Sequence, residues 1–350
     1  MEVALHIVLI LSLNIKYAYS ATDTSVYLLN DGHKIPTVAL GTSLGHLSDG
    51  TRVLSVNHSL ARAVQWALEA GYRHIDTAAL YRVEDEVGLG VQHYIEDNNA
   101  TREDVYITTK LWNDAHEIEE VVPALKKSLD DLKMDYVDLY LMHYPMAYSK
   151  NGSVKNTDYV ETWKGLELAK GQNLARSIGV SNFNITQMKR LWENSMVKPA
   201  VLQIEVNPSI TQVELVDWCK EHGVVVMAYS PFGGILGRKK DAPPPHANEP
   251  TLVNLAKKYN KTVPQILLRY LLDRQLVAIP RSTNKDRIKE NIDIMNFSLT
   301  PDEVENLSKF NSNYRLRTPV KWYSHPEFPF EKKNLSDAEI KYIIQHSKED

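Results

Sequence analysis

Eight short apolar segments, separated by longer helical patterns, recur along the chain and constrain its fold more than any other feature. Nearly continuous apolar runs of this length are typical of parallel strands that are buried on both faces. Eight strand–helix units in one chain favour a closed (β/α)8 TIM barrel over an open doubly wound sheet. The predicted strands are Val38–Gly41, His74–Asp76, Val105–Lys110, Val137–Met142, Ala175–Val180, Val201–Val206, Val224–Tyr229 and Val277–Pro280.

Helices are predicted between the strands, and three further segments lie outside this pattern. A β-hairpin of Val26–Leu29 and Lys34–Pro36 should cap the N-terminal end of the barrel. A long loop, Gly233–Pro250, follows strand seven, and an irregular tail follows Phe310. Because no repeat or linker is visible, residues 21–350 are predicted to form one barrel domain. The clearest helical patterns are Ser59–Ala70, Glu117–Leu132, Tyr159–Lys170 and Gln212–His222.

The composition is that of an ordinary globular protein, with 43% hydrophobic and 24% charged residues. A net charge of −4 gives no reason to expect binding to nucleic acid or to an acidic membrane surface. Cys219 is the only cysteine, which excludes an internal disulfide and a cysteine-based metal site. No metal centre is predicted.

The first twenty residues are predicted to be a secretory signal peptide. Residues 3–13 are apolar apart from His6 and Ser12, and Ala18-Tyr19-Ser20 puts small residues at positions −3 and −1 of a cleavage site before Ala21. The run is too short to cross a membrane as a helix. The mature protein is therefore expected to be secreted and to have no membrane attachment; an N-terminal strand or an uncleaved anchor is the alternative.

An excess of Asn-X-Ser/Thr sequons supports export. The chain has eight, whereas about three are expected by chance from its Asn, Ser and Thr content. Asn99 and Asn151 lie in the most loop-like surroundings. The sequons begin at Asn57, Asn99, Asn151, Asn184, Asn260, Asn296, Asn306 and Asn334.

Several predicted strands end in titratable residues. Asp76, Lys110 and His143 stand at three successive strand exits, and Tyr81 follows shortly after Asp76. The carboxyl ends of the strands face the active site in this type of barrel, so these four groups should meet. Each of them has an ordinary structural alternative, such as a helix cap or a buried ion pair with an incidental tyrosine and histidine.

Together the four groups suit the reduction of a carbonyl. A tyrosine with an unperturbed pKa of about 10 is protonated at neutral pH but is a reluctant acid. We expect the ammonium of Lys110 to lower the pKa of Tyr81, and Asp76 to hold Lys110 in place and ionised. His143 can donate a hydrogen bond to the carbonyl oxygen and so orient it.

In this order and spacing, seven segments make the chain from Val26 to Phe330 resemble the aldo-keto reductase superfamily. The resemblance implies an NADPH-dependent reductase of aldehydes or ketones, with Asp76, Tyr81, Lys110 and His143 as its catalytic tetrad and Tyr81 as the general acid. The matching segments are Gly71–Ala78, Tyr81 with Glu84–Gly88, Ile107–Trp112, Leu139–His143, Ser177–Phe183, Gln203–Pro208 and Ile279–Asn284.

The cofactor site is predicted at the carboxyl ends of strands seven and eight. No Gly-x-Gly-x-x-Gly motif opens a helix, so a Rossmann site is not supported, whereas TIM barrels bind phosphate near these strands. Arg281 and Ser282 leave strand eight, and Arg287 and Asn291 share a helical face, which suits the 2′-phosphate of NADPH. By resemblance, Tyr229 stacks on the nicotinamide, Ser181, Asn182 and Gln203 bind its carboxamide, and Thr42, Asp76, Ser230 and Phe232 complete the contact set.

One departure from the family concerns the loop over the cofactor. Many relatives have an acidic residue after strand seven that latches this loop to a basic partner beside strand one. This chain has Gly233-Gly234-Ile235-Leu236 and Leu44 at those places. We therefore expect a looser hold on NADPH, in which Arg238, Lys239 or Lys240 takes part.

The substrate pocket is predicted to have room for a large ketone. Its expected lining is Ser43, Leu80, Tyr81, Trp112, His143 and Tyr144, with segment Met146–Asn156 and the tail. Ser43 stands where many relatives have a bulky aromatic residue. Since secreted members of the family in insect blood reduce 3-dehydroecdysone, an ecdysteroid is the expected substrate of a monomeric enzyme. The alternatives are a general aldehyde or alcohol reductase and a non-catalytic NADPH-binding regulatory protein.

Overall fold

The computed structural model describes residues 25–45, 52–237 and 242–332, together with Ser336, Ala338 and Glu339. The predicted signal peptide, the sequon at Asn334 and the basic residues Arg238, Lys239 and Lys240 lie outside the described residues.

Eight parallel strands, numbered β3 to β10, form the barrel in their order along the chain. A parallel bridge between Val38 and Ala278 joins its two edges, and the N–H of Gly41 donates to the carbonyl of Pro280 at 2.9 Å, so the barrel closes. The prediction of a (β/α)8 barrel is confirmed, and each predicted strand is present to within one residue at either end. The strands are β3 (Ala39–Gly41), β4 (His74–Asp76), β5 (Tyr106–Leu111), β6 (Val137–Met142), β7 (Ala175–Ser181), β8 (Val201–Glu205), β9 (Val225–Tyr229) and β10 (Val277–Ile279).

The predicted hairpin is also present and closes one end of the barrel. Its strands β1 (Val26–Leu28) and β2 (Lys34–Pro36) pair antiparallel. The buried side chains of Leu29 and Ile35 pack against the inward-facing residues of the strands, and the amide of Asn30 donates to the carbonyl of Pro199 at 2.9 Å. Because this end is plugged, the carboxyl ends of the strands remain as the accessible face of the barrel.

The helices pack around the strands, and none of those described is long and apolar enough to span a membrane. Helix α2 did not show as a clear helical pattern because Gly88 and Gly90 interrupt its sequence. A Cβ atom on Gly88 would lie 2.3 Å from the carbonyl oxygen of Leu132, so glycine allows α2 to contact the end of α3. The helices are α1 (Ser59–Glu69), α2 (Glu84–Asn98), α3 (Ile118–Leu132), α4 (Tyr159–Gly171), α5 (Ile185–Asn194), α6 (Val213–Glu221), α7 (Pro250–Tyr259), α8 (Val263–Asp273), α9 (Lys285–Ile292) and α10 (Pro301–Ser308).

The C-terminal tail, residues 309–332, is irregular apart from a 3-10 turn at Val320–Trp322. It is anchored by apolar side chains, because Tyr323 and Phe328 are buried against Met146. A hydrogen bond also holds the tail, since the Nε2–H of the buried His325 side chain donates to the carbonyl of Ala147 at 3.1 Å. These contacts bring the tail to the mouth of the barrel, beside the carboxyl ends of the strands.

Candidate active site

Four titratable side chains meet at the carboxyl ends of β4, β5 and β6. Asp76 ends β4, Lys110 lies near the end of β5, and His143 directly follows β6. Tyr81 closes a 3-10 turn, Ala79–Tyr81, just after β4. Since these parallel strands are neighbours in the sheet, the structure brings together all four residues that the sequence predicts as a tetrad.

Lys110 is the centre of this cluster and is fully buried. Its Nζ lies 2.8 and 2.9 Å from the two carboxylate oxygens of Asp76 and 2.8 Å from the carbonyl oxygen of Thr77. The hydroxyl of Tyr81 is 3.5 Å from the same nitrogen. Asp76 therefore fixes the ammonium at a position from which it acts on the phenol.

The pKa values in the cluster follow from burial and from the neighbouring charges. Burial alone would lower the pKa of Lys110, but Asp76 and Tyr81 raise it above its ordinary value, so the ammonium persists. Burial raises the pKa of Tyr81, and the positive charges of Lys110 and Arg52 offset only part of that rise. Lys110 thus lowers the pKa of Tyr81 as expected, but desolvation of the tyrosinate outweighs the attraction of the cations, so the pKa of the phenol stays above its ordinary value.

His143 is held as a neutral imidazole. Burial lowers its pKa well below the ordinary value, and the positive charges of Lys110 and Arg52 lower it further. Its ring contacts that of Tyr81 edge to face, with centroids 5.8 Å apart, and stacks on that of Tyr144 at 5.4 Å. A neutral histidine beside the phenol can donate a hydrogen bond to a substrate oxygen without adding a charge.

Buried amide side chains lie next to the cluster, at the ends of β7 and β8. The Nε2 of Gln203 donates to Asp76 at 2.7 Å. The amide of Asn182 donates to the carbonyl of His143 at 2.9 Å and accepts from the hydroxyl of Tyr229 at 2.8 Å. Amides offer both donors and acceptors, so this group is suited to bind a carboxamide such as that of a nicotinamide.

A continuous cavity of about 480 Å³ connects these amides with the start of α9. All twelve predicted cofactor residues line it, although their roles in binding stay predictions. They are Thr42, Asp76, Ser181, Asn182, Gln203, Tyr229, Ser230, Phe232, Arg281, Ser282, Arg287 and Asn291.

The end of the cavity at α9 is suited to a phosphate group. Helix α9 begins after Asn284, whose side-chain oxygen accepts the N–H of Arg287 at 3.0 Å. Arg281 donates to the carbonyl of Ser43 at 2.8 Å and so links β10 to the loop after β3. Two guanidinium groups at a helix N-terminus favour a doubly charged anion. The residues present therefore fit NADPH: Gln203 and Asn182 would hold its nicotinamide, and the two arginines would hold its 2′-phosphate.

Most of the predicted substrate residues line the cavity, but not all of them. Ser43, Leu80 and Tyr144 line the cavity with Tyr81 and His143. Trp112 does not line this cavity. Its ring packs edge to face against His143, with centroids 5.3 Å apart, and borders a neighbouring cleft. Within segment Met146–Asn156, Met146 is buried beneath the tail, and Tyr148 also borders that cleft.

Several cavity residues were missed by sequence reasoning. Arg52, whose guanidinium carbon lies 6.0 Å from the ring centre of Tyr81, had no motif to mark it. Glu290 could have been found, since it lies one turn after Arg287 on the same helix. The tail was expected at the pocket, but nothing in its sequence singled out its lining residues, Arg317, Thr318, Pro319 and Trp322. Among the described residues, no group of three or more His, Cys, Asp or Glu is arranged to hold a metal ion.

Comparison with known proteins gives a consistent result. The sequence model of the Aldo/keto reductase family matches residues 39–312. Aldo-keto reductase AKR2E4 of Bombyx mori is 52% identical over 302 residues, which cover 86% of this chain and 97% of that protein. Aldo-keto reductase family 1 member A1 of Gallus gallus is 40% identical over 324 residues, with coverages of 86% and 96%.

Solved structures show the same likeness. The crystal structure of Bombyx mori AKR2E4 in complex with NADP superposes with a TM-score of 0.83 at 51% identity, and covers 87% of this chain and 98% of that one. The structure of AKR2E5 complexed with NADPH has a TM-score of 0.86 at 42% identity, with coverages of 90% and 96%.

Proposed function

This chain belongs to the aldo/keto reductase family and is an NADP-dependent oxidoreductase, and we propose that it reduces a bulky ketone, an ecdysteroid such as 3-dehydroecdysone. One observation carries the reaction: a buried Asp76–Lys110 pair lies beside Tyr81 at one end of a cavity whose other end has Arg281 and Arg287. The first end can protonate a carbonyl oxygen, and the second can hold the phosphates of NADPH.

In the proposed reaction each polar group has its own step. NADPH, when bound, supplies the hydride that reduces the carbonyl carbon. Tyr81 donates its phenolic proton to the carbonyl oxygen, which completes the alcohol, and the tyrosinate later recovers a proton from solvent. The ammonium of Lys110, 3.5 Å from that phenolic oxygen, stabilises the transient negative charge. His143 donates a hydrogen bond that orients the carbonyl oxygen.

Support for a bulky ketone comes from the walls of the cavity near Tyr81. Leu80, Tyr144 and Trp322 give it an apolar and aromatic lining, and Ser43 occupies little space. Apolar walls with a few convergent polar groups are typical of sites for large hydrophobic ligands. The likeness to two reductases of the silkworm is consistent with an insect steroid.

Filling the space beside Ser43 should discriminate between ketone and aldehyde. We expect kcat/KM for 3-dehydroecdysone to exceed that for short aldehydes, and Ser43→Trp to lower the ketone value by about tenfold or more while sparing propanal. The control is Ser43→Ala, which removes the hydroxyl without adding bulk. Consumption of NADPH is followed at 340 nm.

Equal or better kcat/KM for short aldehydes in the unmodified enzyme would instead support the alternative, a general aldehyde reductase. A lack of turnover with every carbonyl, in either direction, would favour a regulatory NADPH-binding protein.

We also propose that the enzyme is secreted as a glycosylated monomer, on the basis of its N-terminal segment and its sequons. The fold ranks the sequons by accessibility. Asn57, Asn99 and Asn260 are exposed and have left-handed backbone conformations at the ends of loops or helices. Asn184 differs, because its oxygen accepts the N–H of Gln187 at 2.9 Å and its nitrogen donates to the carbonyl of Pro329 at 3.2 Å. A glycan there would displace the tail.

Secreted enzyme should therefore carry glycans at some of the exposed sequons and none at Asn184. Peptide mapping after enzymatic deglycosylation would identify modified positions, because each released glycan converts its asparagine to aspartate. N-terminal sequencing of the same sample should begin at Ala21, and light scattering should give the mass of one chain. An occupied Asn184 in active enzyme would contradict this ranking, and a chain that starts at Met1 inside the producing cell would contradict export.

A further inference from the structure

Arg317 brings a positive charge into the active-site cavity from the C-terminal tail. It lines the same cavity as Tyr229 and Arg281, although it follows both in sequence and belongs to no helix or strand. Burial lowers the pKa of Arg281 and raises that of Tyr229; the guanidinium of Arg317 adds to the first shift and, after that of Arg315, offsets part of the second. Its charge therefore acts on both the nicotinamide end and the phosphate end of the predicted cofactor site.

A buried carboxylate fixes the backbone at this point of the tail. Glu205 ends β8 and is fully buried. One of its carboxylate oxygens accepts the N–H of Leu316 at 2.8 Å, and the other accepts the N–H of Arg317 at 3.0 Å. Glu205 lies two residues after Gln203, so the strand that supplies an amide to the site also anchors the tail. Two charge-assisted hydrogen bonds restrict where the next side chain can go.

The guanidinium of Arg317 also differs from that of its neighbour Arg315. Arg315 pairs with Glu331 at 3.3 Å and lies over the ring of Phe330, 4.3 Å from its centre. Within the described part of the chain, no hydrogen bond or ion pair engages the guanidinium of Arg317. In the described segment after β9, residues 230–237, only uncharged side chains line the cavity. The tail therefore adds a cation that this segment does not supply.

We propose that Arg317 is an anion-binding arm of the active site and that Glu205 is the residue that positions it. The arm binds anionic oxygens, which the cofactor phosphates or a carboxylate on the substrate could provide. This inference rests on NADPH-dependent carbonyl reduction at this site and not on the ecdysteroid as substrate.

Two measurements on Arg317→Met distinguish the sources of the anion. The first is the Kd of NADPH by fluorescence titration. The second is the ratio of kcat/KM for 4-carboxybenzaldehyde to that for its uncharged methyl ester. We expect one of the two to change by about tenfold, the effect of losing one charge-assisted hydrogen bond, and Arg317→Lys to recover part of it. The control is Arg315→Met, which removes a neighbouring charge of the same sign and should change both measurements less than Arg317→Met does, because that guanidinium pairs with Glu331 and does not line the cavity.

A weaker Kd with an unchanged ratio assigns the arm to the cofactor, and a lower ratio with an unchanged Kd assigns it to the substrate. No change in either overturns the proposal. Because the Kd is measured without turnover, an enzyme that fails to reduce either aldehyde would contradict the proposed function and still leave the cofactor measurement to decide on the arm.

A double-mutant cycle tests the role of Glu205. Glu205→Gln replaces one acceptor oxygen with an amide nitrogen that faces a backbone N–H, so the tail should shift. Whichever quantity Arg317→Met changes, the Kd of NADPH or the ratio of kcat/KM values, should then change in the same direction in Glu205→Gln. In Arg317→Met/Glu205→Gln we expect no further loss beyond that of Arg317→Met, since the carboxylate acts through the arm. Losses that add up in the double variant would show that Glu205 acts independently and would overturn its positioning role. Thermal unfolding of each variant checks that the barrel remains folded.

Discussion

Replacing Tyr81 with phenylalanine should lower kcat for carbonyl reduction by about 10²–10⁴-fold and leave the affinity for NADPH unchanged. The substitution removes only the hydroxyl that lies 3.5 Å from Lys110. The aromatic ring, and with it the edge-to-face contact with His143, is retained. Lys110 keeps its two bonds to Asp76, so no buried charge loses its partner. The expected loss therefore reports proton donation rather than folding.

Tyr144→Phe is the matched control, because this tyrosine lines the same cavity and stacks on His143. Its hydroxyl has no place in the proposed proton transfer, so kcat with a small aldehyde should stay within about twofold of the unmodified enzyme. Single-turnover reduction with saturating NADPH separates chemistry from product release, and fluorescence titration gives the Kd of NADPH. If Tyr81→Phe retained a third or more of kcat, another group would have to be the acid.

The positions of the four titratable groups could be predicted from the sequence because strand ends are easily located. The runs before Asp76, Lys110 and His143 are continuous and apolar, and a barrel of parallel strands places their carboxyl ends at one face. The net direction of the pKa of Tyr81 could not be predicted in the same way. It depends on how much water the completed fold removes from the phenol, and neither strand position nor residue spacing contains that quantity.

Residues supplied by long-range contacts were the least predictable part of the site. Arg317 lines the cavity, and its backbone N–H is bound by Glu205, a residue more than a hundred positions earlier in the chain. Trp112 follows β5 as expected, but Trp322 of the tail packs against it at 5.8 Å and takes the place beside the cavity. Irregular segments have no periodicity from which such contacts can be inferred.

Buried neutral histidines should make the fold sensitive to mild acid. Burial lowers the pKa of His74 to about 4 and that of His116 to about 3. In the unfolded chain a histidine titrates near 6.5, so the unfolded state binds more protons as the pH falls below that value. The stability from neutral burial is therefore present at pH 7 and is lost on acidification, by about 2 kcal/mol per histidine between pH 7 and pH 5.

Two buried carboxyls act in the opposite sense. Burial raises the pKa of Glu84 and of Glu205 above the ordinary value. The folded state then binds more protons than the unfolded chain as the pH approaches about 4.3. The stability that the two carboxyls add on acidification offsets part of the stability that the histidines lose. A comparison of variants at the same two pH values removes the offset, because the carboxyls are common to all of them.

His116→Leu isolates one histidine in this comparison. His116 is fully buried, and neither ring nitrogen has a hydrogen-bond partner among the described residues. Urea unfolding at pH 7 and pH 5 should show that the variant loses about 2 kcal/mol less stability than the unmodified protein over this interval. As a control, His93, which is exposed on α2, is replaced with leucine. This variant should lose as much stability between pH 7 and pH 5 as the unmodified protein. Equal losses in His116→Leu and the unmodified protein would mean that His116 accepts its proton in the folded state, and the packing of the tail beside it would then have to admit water.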